Sequence, residues 1–372
     1  MGYEKQKKHQ NAVKAHRLND TLAPKVAEIF PEMSVPQQRN MVWLMIGIYL
    51  SRNVQLSKIV EYIASSAKET SIVRRISRFL AQFGADVKTS YAKQIVPILK
   101  CLSMSGQIRL LIDGSKVGFG HQLVMVSVAY KRRSIPVAWT WVKYKRGHST
   151  GETQVKLLSE VKTLIQELKG GVKVSLCGDS EYGNGEVLMA MKAWGWQYAL
   201  RQKGSHLVST DGNAWQNLQS LVCKAGESVW LPDAYLTQAH AIRCNLCAYW
   251  AKGQPEAWLI ATNLPDHNTC IKAYGYRMWI EEMFGDLKKH GFDLESTHLL
   301  DTEKLSRLTL AVVLLYVWLL CYGARLTKQG LRHWVDRHDR RDLSFFQIGF
   351  RYLKRLLKND AKLPKMSLLP CS

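Results

Sequence analysis

Two apolar runs that each stop at an acid do most to constrain how this chain can fold. Residues 108–118 read IRLLIDGSKVG and residues 172–184 read VKVSLCGDSEYGN. Short, continuously apolar runs of this kind are expected to be buried strands. Between them, ETQVKLLSEVKTLIQELKGG has helical period and a glycine stop. A helix leading into a strand belongs to a crossover pattern, which here follows early antiparallel hairpins. HQLVMVSVAYKRR and IPVAWTWVKYK add two strands after the first run. EVLMAMKAWG adds a helix and WQYALRQKG a strand after the second. The expected fold class is therefore α/β, with a mixed sheet flanked by helices.

The flanking segments differ in pattern. Residues 205–264 hold short alternating runs with turn signals, which predicts a β-rich insertion. Residues 1–100 read as helical. MVWLMIGIYL is a buried helix, and VQLSKIVEYIA and SIVRRISRFLAQF are two amphipathic stretches, the second capped by Thr70 or Ser71. That second stretch carries Arg74, Arg75 and Arg78. The pair resembles a helix-turn-helix with a basic second helix, although a plain hairpin with a solvated basic face fits the same pattern. The expected boundaries are 1–100 for a helical DNA-binding region and 101–204 for the first part of a catalytic core. They continue with 205–264 for the insertion, 265–325 for the second part of the core and 326–372 for a basic helical tail.

Lys and Arg number 52 against 30 Asp and Glu, a net charge of +22. An excess spread over several segments points to a polyanion, and double-stranded DNA is the expected partner. From Arg325 to Lys358 there are ten Lys or Arg against three Asp, and FFQIGFRYLKRLLK within that stretch is a basic amphipathic helix. No membrane partner is expected. The apolar run Leu308–Gly323 has 16 residues, short of the roughly 20 that span a bilayer, and reads as a buried core helix. The first 25 residues are polar and basic, without an apolar signal region. Eight cysteines in 372 residues are too sparse for a disulfide scaffold, so a reducing cytoplasm is the expected compartment. Cys244-x2-Cys247 with His267 and Cys270 spells a conceivable zinc set. A strand through IRCNLCAYW would point its two cysteines to opposite faces.

Asp113 and Asp179 stand where the two apolar runs stop. Ligands collect at such strand ends, and a carboxylate there costs stability unless it is paired or holds a cation. Two such acids, on strands that could be neighbours, suggest a divalent-metal site with oxygen ligands. Asp-Gly and Asp-Ser are also common turn pairs, so capping a turn is the alternative for each.

The stretch AYGYRMWIEEMFGDLKKHGFDLE, residues 273–295, places two more acids side by side. Read as one helix at about 100° per residue, it puts Tyr274, Arg277, Glu281 and Lys288 within an arc of roughly 60°. That row borders a core face of Ile280, Met283, Phe284 and Leu287. Glu282 falls on the other side, with Asp286 and Lys289, and is expected to be solvated. A carboxylate flanked by an arginine and a lysine suits work on phosphates. With Asp113 and Asp179 it would complete a three-carboxylate set able to hold two divalent ions about 3.5–4 Å apart for in-line displacement at phosphorus.

Tyr274-x2-Arg277-x3-Glu281-x6-Lys288 resembles the Y-R-E-K signature of insertion-sequence DDE transposases of the IS-four type. The resemblance covers about residues 105–325. It implies a ribonuclease-H-like catalytic core with a β-rich insertion between the second Asp and the Glu. It further implies cut-and-paste transposition: binding of terminal inverted repeats, DNA cleavage with two Mg²⁺ or Mn²⁺ ions, and joining of a 3′-hydroxyl to target DNA. Asp113, Asp179 and Glu281 would be catalytic and metal-binding, with Tyr274, Arg277 and Lys288 on the DNA. Trp258 matches a family tryptophan that stacks on a flipped base, or else is sheet core. Arg201 matches a phosphate-contacting arginine. Ser180 departs from the family, which often has arginine there. At least a homodimer in the DNA complex and a bacterial, nucleoid-associated setting are implied. A structure-specific nuclease of the same fold, or a DNA-binding derivative without catalysis, would share these features.

Overall fold

The computed structural model describes residues 2–117, 120–143, 148–168, 170–339 and 341–370. Gly118, Tyr144, Lys145 and Lys169, which the strand and helix readings above include, lie outside these. The chain begins with helices α1 (Gly2–Ile29), α2 (Val35–Ser51), α3 (Leu56–Val60), α4 (Glu69–Ala81) and α5 (Val87–Ser103). Strands β1 (Gln107–Val117), β2 (His121–Tyr130) and β3 (Arg133–Lys143) follow, then α6 (Gly151–Gln166), β4 (Lys173–Gly178), α7 (Gly185–Trp194) and β5 (Gln197–Arg201). Next come β6 (Leu207–Ser209), β7 (Gln216–Asn217), β8 (Ser228–Leu236), β9 (Ile242–Tyr249) and β10 (Trp258–Thr262). Helices α8 (His267–Gly275), α9 (Met278–Leu287), α10 (Thr302–Lys328) and α11 (Phe345–Lys358) complete the order.

Two compact units are present. The first comprises Met1–Cys101, Lys116–His121 and Met283–Ser372, and the second Leu102–Ser115 and Gln122–Glu282. The second unit is built on one ten-stranded sheet in the order β3-β2-β1-β4-β5-β10-β9-β8-β6-β7. β4 pairs in parallel with both β1 and β5, whereas β10 pairs antiparallel with β5 and β9. This is the mixed α/β sheet with flanking helices expected from the sequence, and β3-β2-β1-β4-β5 is the ribonuclease-H-like order. The β-rich segment continues the same sheet rather than forming a separate layer, because β10 hydrogen-bonds directly to β5. Pro232 and Asp233 sit where the β8–β9 register shifts between Leu231 and Ala234. Proline lacks the N–H a regular ladder needs, so a bulge is where it fits. The helices on this sheet start at side-chain caps: Thr150 for α6, Asn184 for α7 and Asp266 for α8.

The first unit is helical and centres on α10. This helix extends the 16-residue apolar run to 27 residues and buries nineteen of them. By length and composition it could cross a membrane, but 83% of its most apolar window is buried, as the core-helix reading expects. Where it meets α11 the backbones touch. A Cβ on Gly323 would lie 1.7 Å from the Phe345 carbonyl oxygen, and one on Gly349 2.0 Å from that of Leu319. Phe346 and Phe350 flank this crossing, with Tyr316 and Tyr49 as ring neighbours at 5.3 and 4.9 Å.

Two details of the N-terminal helices differ from the sequence reading. VQLSKIVEYIA forms only the five-residue α3. The chain leaves the helix at Glu61 through tight turns from Tyr62 to Ile59 and from Ile63 to Val60, and Ile63 is buried without being helical. α4 begins two to three residues earlier than expected: Lys68 is its N-cap, without a side-chain bond, and Thr70 and Ser71 lie inside the first turn.

The glycine crossing gives a prediction against helix propensity. Alanine is favoured over glycine in a helix by about 1 kcal/mol, while overpacking a close contact costs about 1–3 kcal/mol. Gly349→Ala should therefore lower the melting temperature by a few degrees, measured by circular dichroism. A rise would show that the two helices can move apart freely.

Candidate active site

The β1–β4 ladder runs in register from Gln107↔Lys173 to Ile112↔Gly178, and β5 follows with Gly178↔Leu200. The next position on each of the three strands is Asp113, Asp179 and Arg201. Neighbouring parallel strands thus present two carboxylates and a guanidinium side by side at their C-terminal edge. Asp179 follows the end of β4, as expected. Asp113 does not end β1, which continues to Val117. What stops at Asp113 is the pairing with β4, because β4 turns away while β1 runs on beside β2.

Each acid turns back to its own chain: Asp113 Oδ1 accepts from the Gly114 N–H at 2.8 Å and Asp179 Oδ1 from the Ser180 N–H at 2.7 Å. Gly114 lets two side chains approach closely. A Cβ there would lie 2.4 Å from Gln122 Nε2 and 2.5 Å from the Tyr182 hydroxyl. Gln122 belongs to a polar network around Glu181. Glu181 accepts from Gln122 Nε2 at 3.1 Å, from the Ser149 N–H at 2.9 Å and from Ser149 Oγ at 2.7 Å, and lies 3.3 Å from His148 Nδ1. The sequence reading missed Gln122 and Ser149. The available signal was a buried glutamine in the otherwise apolar run of β2, where an unpartnered amide would be costly.

The third acid sits on a broken helix rather than a continuous one. α8 ends at Gly275 and α9 starts at Met278. Across the joint the bonds are tightened, with the Arg277 N–H on the Tyr274 carbonyl at 2.9 Å and the Ile280 N–H on that of Arg277 at 3.2 Å. A three-residue turn advances each side chain more than a helical one, so the single wheel drawn through residues 273–295 does not hold. The short-range part of that reading survives, because Arg277 immediately precedes α9 and Glu281 lies in its first turn. They form an ion pair at 2.6 Å. Ile280, Met283, Phe284 and Leu287 are buried, as expected. Glu282 is half exposed and pairs with Arg133 at 3.0 Å. Asp286, expected to be solvated beside it, is buried. The chain after α9 folds back, with the His290 N–H on the Gly285 carbonyl and Gly291 packed against the Asp286 carbonyl. Lys288 belongs to the first unit, where it pairs with Glu295 at 2.5 Å.

Arg277 is the electrostatic centre of the second unit's cluster. Burial disfavours its charge, but Tyr274, Glu281, Asp179 and Asp113 together outweigh that and keep it firmly protonated. Arg201 lies 3.8 Å from Asp179 and is held by Glu256 at 2.7 Å. Burial pushes the Asp113 carboxyl up to about 7. The Gly114 N–H and Arg277 pull against this shift, and the nearby Asp179 and Glu281 charges add to it. Tyr274 is buried beneath Arg277, with its ring centroid 5.8 Å from the guanidinium carbon and 4.9 Å from the ring of Trp258. Trp258 is half-buried, with Tyr249 on its other side.

The remaining candidates are on α4 and β9. Arg74 and Arg78 are exposed, while Arg75 donates to Asn40 at 2.8 Å and stacks over Trp43 at 4.7 Å. On β9, the free thiol of Cys247 interacts with that of Cys270, and Cys244 is buried on the opposite face of the strand. Among the described residues, no three Asp, Glu, His or Cys side chains stand close enough to form a ready-made metal cluster. The donor set around Arg277 nevertheless suits a hard divalent cation. It is all carboxylate oxygen, and one member, Asp113, is enclosed with too little positive charge to hold it ionised near neutral pH.

A pH-dependent stability follows from Asp113. Its pKa in the folded chain lies above that of an unfolded aspartate, so between about pH 4 and 7 the folded state holds a proton that the unfolded state has lost. Stability then falls as pH rises through that window and levels off above it. In chelator, Asp113→Asn should match the wild type near pH 4. By pH 7.5 it should exceed it by roughly 1–3 kcal/mol, a range discounted because part of the carboxyl reaches water. Denaturant unfolding at several pH values measures this, and a constant gap between the two proteins would remove the burial argument.

A family model described as the transposase DDE domain matches residues 106–318. No curated protein matches the chain.

Proposed function

The chain belongs to the DDE transposase family, and from that premise we propose that Asp113, Asp179 and Glu281 are the acids of its DNA-cleaving site. Transposases act on DNA, and their chemistry is that of a phosphodiester nuclease. The observation that carries the assignment is the register. Asp113 and Asp179 stand one step past the last parallel pair, and both act electrostatically on the arginine that Glu281 holds.

In this reading the three carboxylates hold Mg²⁺ or Mn²⁺, two ions in the full site. When bound, these ions neutralise phosphate charge and activate a water or a terminal 3′-hydroxyl. The protein's own groups do the rest. Arg277 and Arg201 bind phosphate oxygens at the C-terminal edge of the sheet. Before DNA arrives, their ion pairs with Glu281 and Glu256 keep them in place. Tyr274 underlies Arg277 and fixes its position. Trp258, packed edge-on against Tyr274, offers an aromatic face for an unstacked base. Glu181, satisfied by Gln122 and Ser149, anchors the turn after Asp179.

The spacing of Tyr274, Arg277, Glu281 and Lys288 supports the IS-four type. On that basis we assign binding of inverted-repeat ends to the N-terminal helices, with Arg74 and Arg78 facing outward. The further steps are cleavage, strand transfer into target DNA, and dimerisation on the two ends, at the nucleoid of a bacterial cytoplasm.

The test is cleavage and strand transfer on a labelled duplex ending in the element's repeat. Asp179→Ala and Glu281→Ala each remove charge stabilisation worth several kcal/mol and should reduce cleavage about 10³-fold or more. Glu282→Ala removes a half-exposed ion pair worth at most about 1 kcal/mol and should leave most activity. Mn²⁺ should raise the melting temperature of the wild type at pH 7.5 but not that of Asp113→Asn. Cleavage that survives Glu281→Ala, or is abolished by Glu282→Ala alone, would refute the assignment.

A further inference from the structure

We propose that the outer face of α11 docks on the phosphate backbone of double-stranded DNA without reading its sequence. The proposal rests on the transposase reading for the identity of the polyanion and adds a second contact surface to it.

Arg351, Lys354, Arg355 and Lys358 follow the spacing i, i+3, i+4, i+7, which is one face of a helix. All four are exposed. None stands in an ion pair with a carboxylate among the described residues. The helix itself contains no acid. Asp360, just past its end, is already paired with Arg17 at 3.0 Å. Cations near a helix C-terminus also complement its dipole. That accounts for Arg355 and Lys358 in the last turn, but not for Arg351 at mid-helix.

A basic amphipathic helix can also lie on an anionic membrane, and the structure argues against that here. Membrane binding needs a free apolar face. The apolar face of α11 is spent: Phe346, Phe350, Leu353 and Leu357 are buried, and Gly349 lies backbone to backbone against α10. Only the charged face is left for a partner. From Arg351 to Lys358 it extends about 10 Å, enough to face about three phosphates of one strand at 3.4 Å each along the duplex axis. The stripe carries no Asn or Gln to read adenine and no acid to read cytosine, and Arg355 is engaged over Trp334, which leaves Arg351 and the two lysines mainly for phosphates. Gln347 on the same helix is engaged with the His290 carbonyl at 2.8 Å.

The experiment uses the full chain and a short duplex of random sequence, with binding followed by fluorescence anisotropy across a salt series. The test variant is Arg351→Gln/Lys354→Gln/Lys358→Gln. Arg355 is kept because it stacks over Trp334 at 4.8 Å. Circular dichroism melting checks that the variant stays folded. Losing three phosphate contacts should make the slope of log K against log salt shallower by about 2.7 and weaken binding at least about tenfold at low salt. An unchanged slope and affinity in the folded variant would overturn the proposal. So would loss of binding to phosphatidylserine vesicles with duplex binding intact. The two readings fail separately. If the wild type binds the duplex through these residues but never cuts DNA, the docking face stands and the catalytic reading falls. If the variant cuts normally with unchanged binding, the reverse holds.

Discussion

The parallel pairing of β1 with β4 and of β4 with β5 decides where the charges of this site stand. Parallel neighbours need a crossover, and α6 and α7 supply the two here. Once those crossovers are packed, the strand ends are fixed relative to one another by backbone hydrogen bonds, with no long side chain needed to aim them. Asp113, Asp179 and Arg201 then occupy the next position on three adjacent strands. The enclosure that makes the geometry rigid also strips water from Asp113, which is why its carboxyl resists ionisation even with Arg277 nearby. Rigidity and electrostatic stress at this edge have the same cause.

The sequence made the sheet legible because its signal is local. Each buried strand is a continuous apolar run, and each crossover helix has its own period and its own stop. The acids were legible for the same reason, as the points where apolar runs break. Pairing was not visible, since it depends on a partner strand far away in sequence. A break in an apolar run therefore marks Asp113 as the end of a strand, whereas it is only the end of the β1–β4 ladder. The continuation of the sheet through β10 into the β-rich segment escaped notice for the same reason.

The helix wheel failed differently. Between Gly275 and Met278 the chain tightens into three-residue turns, and a periodicity argument assumes a constant advance per residue. Arg277 and Glu281 kept their relation because Arg277 immediately precedes α9 and Glu281 stands in its first turn, four residues on. Asp286 was misread because a wheel knows only the helix that carries it. The returning segment through Gly291, which covers it, lies beyond any window of period 3.6. VQLSKIVEYIA departs from its period in a similar way: Val54, Ile59, Val60 and Ile63 are buried, but Ile63 reaches the core from a turn.

Ser180 shows how the structure changes the weight of a sequence difference. The resemblance favours an arginine beside the second aspartate, and its loss would leave one cation fewer at that point of the chain. Register supplies another. Gly178 pairs with Leu200, so Arg201 is the neighbour of Asp179 across the sheet and reaches it at 3.8 Å. Arg277 adds a second guanidinium that feels Asp179 as well. Ser180 itself contributes its backbone N–H to Asp179, a bond any residue type could make. A cation carried on the strand next door is held by the sheet ladder and by Glu256, whereas one on the turn after β4 would depend on that turn alone. The charge balance around Asp179 therefore rests on strand pairing more than on the identity of residue 180.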